Sequence, residues 1–200
     1  MRLVVLASGR GSNFLAIAQA VRSGRIPHSE IAGLVSNRAD APALEHAKTL
    51  GIPSYLHESR PYVKDKKLDR LAYEAGLVPL VQSLSPDYIC LAGYMLMLGP
   101  AMIGAFAHRI LNIHPSLLPK YKGLHPQRQA LAAREKQTGC TVHWVTATLD
   151  DGPALRQATI EILPGDTEAT LSARLLPLEH ATYVEALAEL AKHQVDKDRK

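Results

Sequence analysis

Two cysteines are all that these 200 residues contain. Cys90 lies inside an apolar run and Cys140 precedes a Thr-Val-His-Trp-Val stretch, with no metal-ligand spacing around either. A disulfide framework and a cysteine-held metal site are therefore excluded, and a reducing, cytoplasmic compartment is expected. No apolar run approaches the length needed to span a bilayer, and Leu3 to Ala7 after Met1-Arg2 is too short for the apolar core of a signal peptide. Nor does charge of one sign dominate: 23 Lys+Arg against 19 Asp+Glu leave +4. Without a basic-aromatic array there is no sign of nucleic-acid reading, and an anionic small molecule is the better ligand. Internal repeats and low-complexity linkers are missing as well. At 46% hydrophobic and 21% charged, the chain reads as one domain over residues 1–195 with a frayed tail at 196–200.

What is present begins with Arg2 to Ala7, an apolar run suited to a strand buried on both faces of a parallel sheet. It ends in Ser8-Gly9-Arg10-Gly11-Ser12-Asn13, after which Phe14, Leu15, Ile17, Ala18 and Val21 recur at helical spacing. Strand, glycine turn and helix N-terminus in succession make an anion cradle, because free N–H groups and the positive dipole end converge there. The pattern is not Gly-x-Gly-x-x-Gly, since Phe14 takes the last position. The second strand, about Ile31 to Val35, closes on Ser36-Asn37, where a dinucleotide fold would place an acid for the ribose. One phosphate site and no NAD is the reading.

Further along, Asp40-Ala41-Pro42 opens a helix that Gly51 closes, and residues 52–56 form a short strand. Arg60, Lys64, Lys66, Lys67 and Arg70 approach an amphipathic helix carrying Leu68, Leu71, Ala72 and Leu77, most simply as a solvated charged face. Asp87 to Ala92 is another buried strand. Tyr94 to Pro100 follows as an unusually apolar loop, a Met/Leu wall suited either to a flat aromatic ring or to plain core packing. A helix from Pro100 to Ala107 leads to Ile110-Leu-Asn-Ile-His-Pro-Ser-Leu-Leu-Pro-Lys-Tyr-Lys-Gly123. Period-two alternation there puts Asn112 and His114 on one face, and Pro115 ends the strand, leaving the imidazole at its carboxyl end. That is where open α/β sheets bind ligands. After His125, Arg128 and a helix through Ala133, strands at Gly139–Ala147 and Ala158–Leu163 flank the turn Leu149-Asp150-Asp151-Gly152-Pro153. Asp166-Thr167 caps a last helix with Leu171, Leu175, Leu178, Tyr183, Leu187 and Leu190 as its apolar positions. The fold class is α/β: a Rossmann-like, mostly parallel twisted sheet flanked by helices, extended by an antiparallel hairpin.

The Gly-Arg-Gly-Ser-Asn turn, the Asn-Ile-His-Pro-Ser-Leu-Leu-Pro-Lys-Tyr-Lys-Gly run and Leu-Asp-Asp-Gly-Pro, in this order, resemble the folate-dependent formyltransferase family, in its phosphoribosylglycinamide branch. The resemblance covers nearly the whole chain. It implies transfer of a formyl group from 10-formyltetrahydrofolate, a co-substrate, to the amine of 5-phosphoribosylglycinamide in purine biosynthesis, with no metal, no nucleic acid and no membrane, by a monomer or homodimer. It further implies Asn112, His114 and Asp150 as catalytic groups, and Gly11, Ser12 and Asn13 as phosphate ligands. Glu179 would meet the ribose, and Met95, Leu96, Met97 and Leu98 would line the pterin pocket, with Asn112 shared. Lys120 and His125 would stand nearby. The chemistry suits these residue types: an amide N–H stabilises an oxyanion, and an imidazole beside a carboxylate can carry the proton that the leaving nitrogen needs.

The chain departs from the family pattern at three positions. Asp151 replaces the first glycine of Asp-Gly-Gly-Pro and would be strained if that position needs positive φ. Leu96 stands where arginine commonly follows the methionine, and Leu176 where a polar phosphate neighbour often occurs. The basic contact to the folate tail falls somewhere between Arg60 and Arg70. A hydrolase using the same three groups with water as acceptor, or a non-catalytic folate or phosphate-ligand module, are the alternatives.

Overall fold

The computed structural model describes the backbone of residues 1–198 and the side chains as far as Gln194. The last two residues of the tail expected to fray, Arg199 and Lys200, lie outside the described residues, as do the side chains from residue 195 onward. In chain order the elements are β1 (Arg2–Ala7), α1 (Ser12–Arg22), β2 (Glu30–Ser36), α2 (Pro42–Thr49), β3 (Ser54–Leu56), β4 (Val63–Lys64), β5 (Lys67–Leu68) and α3 (Arg70–Ser83). There follow β6 (Tyr88–Leu91), α4 (Pro100–Ala105), β7 (Ile110–His114), α5 (Pro126–Ala132), β8 (Gln137–Trp144), β9 (Ala154–Glu161) and α6 (Glu168–Asp198). Seven strands form one sheet in the order β3-β2-β1-β6-β7-β8-β9. The first five run parallel, whereas β8 and β9 are antiparallel.

The unbroken apolar run of β1 has its reason in this arrangement. Leu3, Val5 and Ala7 point to a core shared with Phe14, Ile17, Leu175, Tyr183 and Leu187 of α1 and α6. Val4 and Leu6 point to a second core with Tyr73, Leu77 and Val81 of α3 and Met102 of α4. Because the chain leaves β1 first towards β2 on one side and later enters β6 on the other, the direction of winding reverses at β1. A crevice opens at the carboxyl ends of β1 and β6, where such sheets take ligands. Among the described residues no helix is long and apolar enough to cross a membrane.

Boundaries differ from the sequence expectation at the helix after Arg60–Arg70, at the last strand, and at β8, which spans Gln137–Trp144 and not Gly139–Ala147. Leu68 belongs to a small β4-β5 hairpin, and Lys64 and Lys67 lie in that hairpin as well, not on a helix face. The helix starts only after Asp69, whose carboxylate accepts the N–H of Ala72 at 3.1 Å. With that start, Tyr73, Leu77 and Val81 share the buried face, and Leu71 points outward, 79% exposed. The last strand begins at Ala154, not Ala158, because pairing with β8 resumes there: the Trp144 N–H already bonds the Pro153 carbonyl at 3.0 Å. Its exposed edge carries Arg156 and Gln157, which masked the strand pattern. The cap of the final helix falls where expected, the Thr167 Oγ1 accepting the N–H of Thr170 at 3.2 Å.

Glu74 is the one acid buried in the α3 face, 2% exposed. Its carboxylate accepts the N–H groups of Gly99 and of Met102 at the start of α4. The preceding residue reaches the same loop, since the Tyr73 hydroxyl meets that of Tyr94 at 2.6 Å. Adjacent α3 residues thus fasten both ends of the Tyr94–Gly99 loop. Glu74→Ala should cost about 2–4 kcal/mol of stability in urea denaturation, because buried donors lose their acceptor. Glu74→Gln, which keeps one acceptor, should lose less.

Candidate active site

Gly11 sits at φ 76, and a Cβ there would come within 2.7 Å of the Ala43 Cβ, so glycine alone fits the turn. The turn delivers α1 with its first N–H groups free, lining a cavity of about 680 Å³ together with Arg10, Ser12, Asn13, Met95, Gln127, Ser172, Leu176 and Glu179. Its back is tied down by polar contacts. The Ser8 hydroxyl donates to Asn37 Oδ1 at 2.6 Å and accepts the Met95 N–H at 2.8 Å. Asn37, the residue found where a dinucleotide site would carry an acid, is therefore engaged in joining β1, β2 and the loop after β6.

On one wall Asn13 Nδ2 donates to Glu179 Oε2 at 3.3 Å, and Asn13 Oδ1 is buried with no partner. Burial pushes the Glu179 carboxyl up to about 7, against the opposing pull of Asn13 and of Arg10. On the other side of the cavity Met95 and Met97 are exposed, 72% and 49%. Leu96 and Leu98 of the same loop pack inward on the α3/α4 core.

The second group of polar residues comes from β7 and β8. Register pairs Asn112 with His143 and His114 with Thr141, so these four side chains share one face of the sheet. Asp150 arrives from the turn after β8. Its Oδ2 lies 3.3 Å from His114 Nδ1, with the two side chains 8% and 7% exposed, and it accepts the Gly123 N–H at 3.0 Å. Its Oδ1 lies 3.7 Å from His143 Nε2. His114 Nε2 meets the Tyr121 carbonyl at 2.9 Å. A carbonyl only accepts, so that nitrogen carries a proton and Nδ1 is the one turned to Asp150.

His143 was not singled out from the sequence. Its Nδ1 donates to the Trp144 carbonyl at 3.0 Å, which leaves Nε2 to accept from Asn112 Nδ2 at 3.3 Å. Burial pushes this imidazole down, outweighing the Trp144 carbonyl and the Asp150 carboxylate. A neutral His143 thus orients the Asn112 amide and leaves its second N–H free. The period-two alternation of β8 contains the signal, but only the antiparallel register sets His143 opposite Asn112.

The strain expected at Asp151 falls one residue earlier. Asp150 has φ 48 and Asp151 is not among the residues of positive φ. Aspartate is one of the few side chains that tolerate this region. Glycine is required instead at Gly152, where a Cβ would overlap the Trp144 carbonyl oxygen. Lys120 and His125 stand apart from the Asp150 cluster: Lys120 pairs with Glu135 at 2.7 Å and His125 with Glu168 at 2.9 Å. Arg70 lays its side-chain carbons against Gly99 at the end of the Met/Leu loop. No group of three or more His, Cys, Asp or Glu suited to a metal ion occurs among the described residues.

This geometry has close counterparts. A family model described as formyl transferase matches residues 1–187. The phosphoribosylglycinamide formyltransferase of Escherichia coli K12 is 42% identical over 183 residues, covering 92% of this chain and 84% of that protein. The trifunctional purine biosynthetic protein adenosine-3 of Drosophila pseudoobscura pseudoobscura is 41% identical over 95% of this chain, which spans only 14% of that protein's length. Among solved structures, glycinamide ribonucleotide transformylase 1 from Symbiobacterium toebii superposes with a TM-score of 0.90 at 44% identity, covering 96% of this chain and 88% of that one. Phosphoribosylglycinamide formyltransferase from Bacillus halodurans does so with a TM-score of 0.87 at 37% identity, covering 95% of each. On the extent of these matches, the chain belongs to the formyl transferase family.

Proposed function

We propose that this chain moves a formyl group from 10-formyltetrahydrofolate to the amine of 5-phosphoribosylglycinamide, a step of purine biosynthesis carried out in the cytoplasm. The observation that carries the reading is the buried His114–Asp150 pair beside an amide, Asn112, whose second N–H is unclaimed. The residues of the glycine turn, Gly11, Ser12 and Asn13, supply the phosphate cradle, in the cavity that Met95 also lines.

In this reading the phosphate rests on the free N–H groups of α1, and the ribose hydroxyls donate to Glu179. The pterin lies along Met95 to Leu98, and Arg70 is the basic group best placed for the folate tail. The amine attacks the formyl carbon, and the oxyanion that forms takes the free N–H of Asn112. The bond to N10 then breaks. One proton leaves the attacking nitrogen, through water held by the Asp150 carboxylate, and one reaches N10 from His114. The site therefore gains no net proton in a turnover. The carboxylate also supplies the counter-charge for the imidazole whenever both its nitrogens are protonated.

The deciding experiment incubates the purified chain with 10-formyltetrahydrofolate. Loss of the formyl group only when the ribonucleotide is present is the expected result; loss without it would make the chain a hydrolase, and binding without turnover a carrier module. His114→Ala and Asp150→Asn should each lower kcat by about 10²-fold or more with little change in ribonucleotide affinity. Unchanged turnover would remove that residue from the mechanism. Asn13→Ala should weaken the ribonucleotide in calorimetry and leave folate affinity nearly unmoved.

Glu179 adds a pH signature. Its value in the folded chain lies above that of an ordinary glutamate, so its contribution to stability is full below the unfolded value and is lost as pH rises through about 7. Thermal melts of the unliganded protein should fall between about pH 5 and pH 8 more steeply than those of Glu179→Gln. Equal slopes would show that the carboxyl is solvated.

A further inference from the structure

We infer that Lys122 and Asp151 form a latch that keeps the Asp150 carboxylate in register with His114, so that both are positioning residues; this rests on the reading above. Of three consecutive residues in the loop after β7, the outer two hold the catalytic pair and the middle one holds the residue next to it. The Tyr121 carbonyl takes His114 Nε2 at 2.9 Å. Gly123 N–H gives to Asp150 Oδ2 at 3.0 Å. Between them the Lys122 ammonium pairs with the Asp151 carboxylate. Two neighbouring residues on one loop thus grip two neighbouring residues on the other, and the ion pair is the only rung made by side chains alone.

The backbone gives the latch something to hold. Tyr121 lies at φ 58, Gly123 at φ 80 and Asp150 at φ 48. For tyrosine the left-handed region is disfavoured by roughly 1–2 kcal/mol; aspartate tolerates it better, yet ordinary φ stays open to it, so both loops rely on their contacts to keep this shape. Gly123 and Asp150 face each other where both loops run through positive φ. A break in the adjacent rung would let the Asp150 turn relax towards ordinary φ, carrying its carboxylate away from the imidazole.

The pair is also accessible, with side chains 35% and 49% exposed. Its attraction is therefore modest and screened by salt, unlike that of the buried pair it supports. Among the described residues neither Lys122 nor Asp151 enters another ion pair. Asp151 carries no proton in the transfer and touches no reacting atom. What it supplies is loop register.

The test uses the full chain with Asp151→Asn, Lys122→Met, the double variant, and the charge swap Lys122→Glu with Asp151→Lys. Each single change should lower kcat about three- to ten-fold while the ribonucleotide KM stays put, and the double variant should be no worse than either single. The swap should recover most of the loss. Raising salt from ~50 to ~500 mM should bring the parent kcat down towards that of the variants, whose own values stay flat. Amide exchange at Gly123, which needs no turnover, should quicken about three- to ten-fold in both single variants. Unchanged Gly123 exchange, additive losses, or a salt response that survives in Asp151→Asn would overturn the latch. If the parent fails to turn over at all, the functional reading falls, and Gly123 exchange alone still decides whether the two loops are latched.

Discussion

An imidazole and a carboxylate that are both nearly removed from water have to be paired, and much of the surrounding chain exists to keep them so. Removing one member of a buried polar pair leaves the other without its partner, at a cost of about 1–3 kcal/mol. In this chain every polar atom of the pair is met from a different direction: His114 by Asp150 and the Tyr121 carbonyl, Asp150 by the Gly123 N–H and, at longer range, His143. The loop after β7 is therefore as much part of the site as the strand itself. It supplies a backbone acceptor to one partner and a backbone donor to the other.

Sheet architecture explains how these groups meet. A purely parallel sheet would have covered the Asn112–His114 face with a crossover helix. Instead β8 adds antiparallel to β7 and sets His143 opposite Asn112 and Thr141 opposite His114. The segment that follows starts at the amino end of β7, where the Val145 N–H bonds the Ile110 carbonyl, and folds back to bring Asp150 to His114. The reversal of winding at β1 opens the neighbouring crevice for the glycine turn. Two groups built by different rules, the free N–H groups of a helix N-terminus and a cross-strand polar cluster, lie at the same edge of one sheet.

Behind the crevice, polar anchors replace packing where packing would leave the loops loose. Ser8 and Asn37 bind the end of β1 to the end of β2 and to Met95. Tyr73 and Glu74 fasten the two ends of the Met/Leu loop. Met95 and Met97 stay exposed on a loop that α3 holds at Tyr94 and Gly99 and that Ser8 holds at Met95.

By itself the amino-acid sequence determined the strands buried on both faces, the glycine turn before α1, the common face of Asn112 and His114, and the cap of α6. Each of these is a local regularity: period two, period 3.6, or a breaker at a fixed offset. Only the tertiary structure decided that Leu71 faces solvent, that β9 begins four residues early, that positive φ falls on Asp150 and glycine is obligatory at Gly152, and that His143 orients Asn112. Those outcomes depend on which strand lies beside which and in what register, and on backbone atoms such as the Trp144 carbonyl and the Gly123 N–H. Every residue carries the same backbone groups, so no pattern of side chains announces which of them will be used.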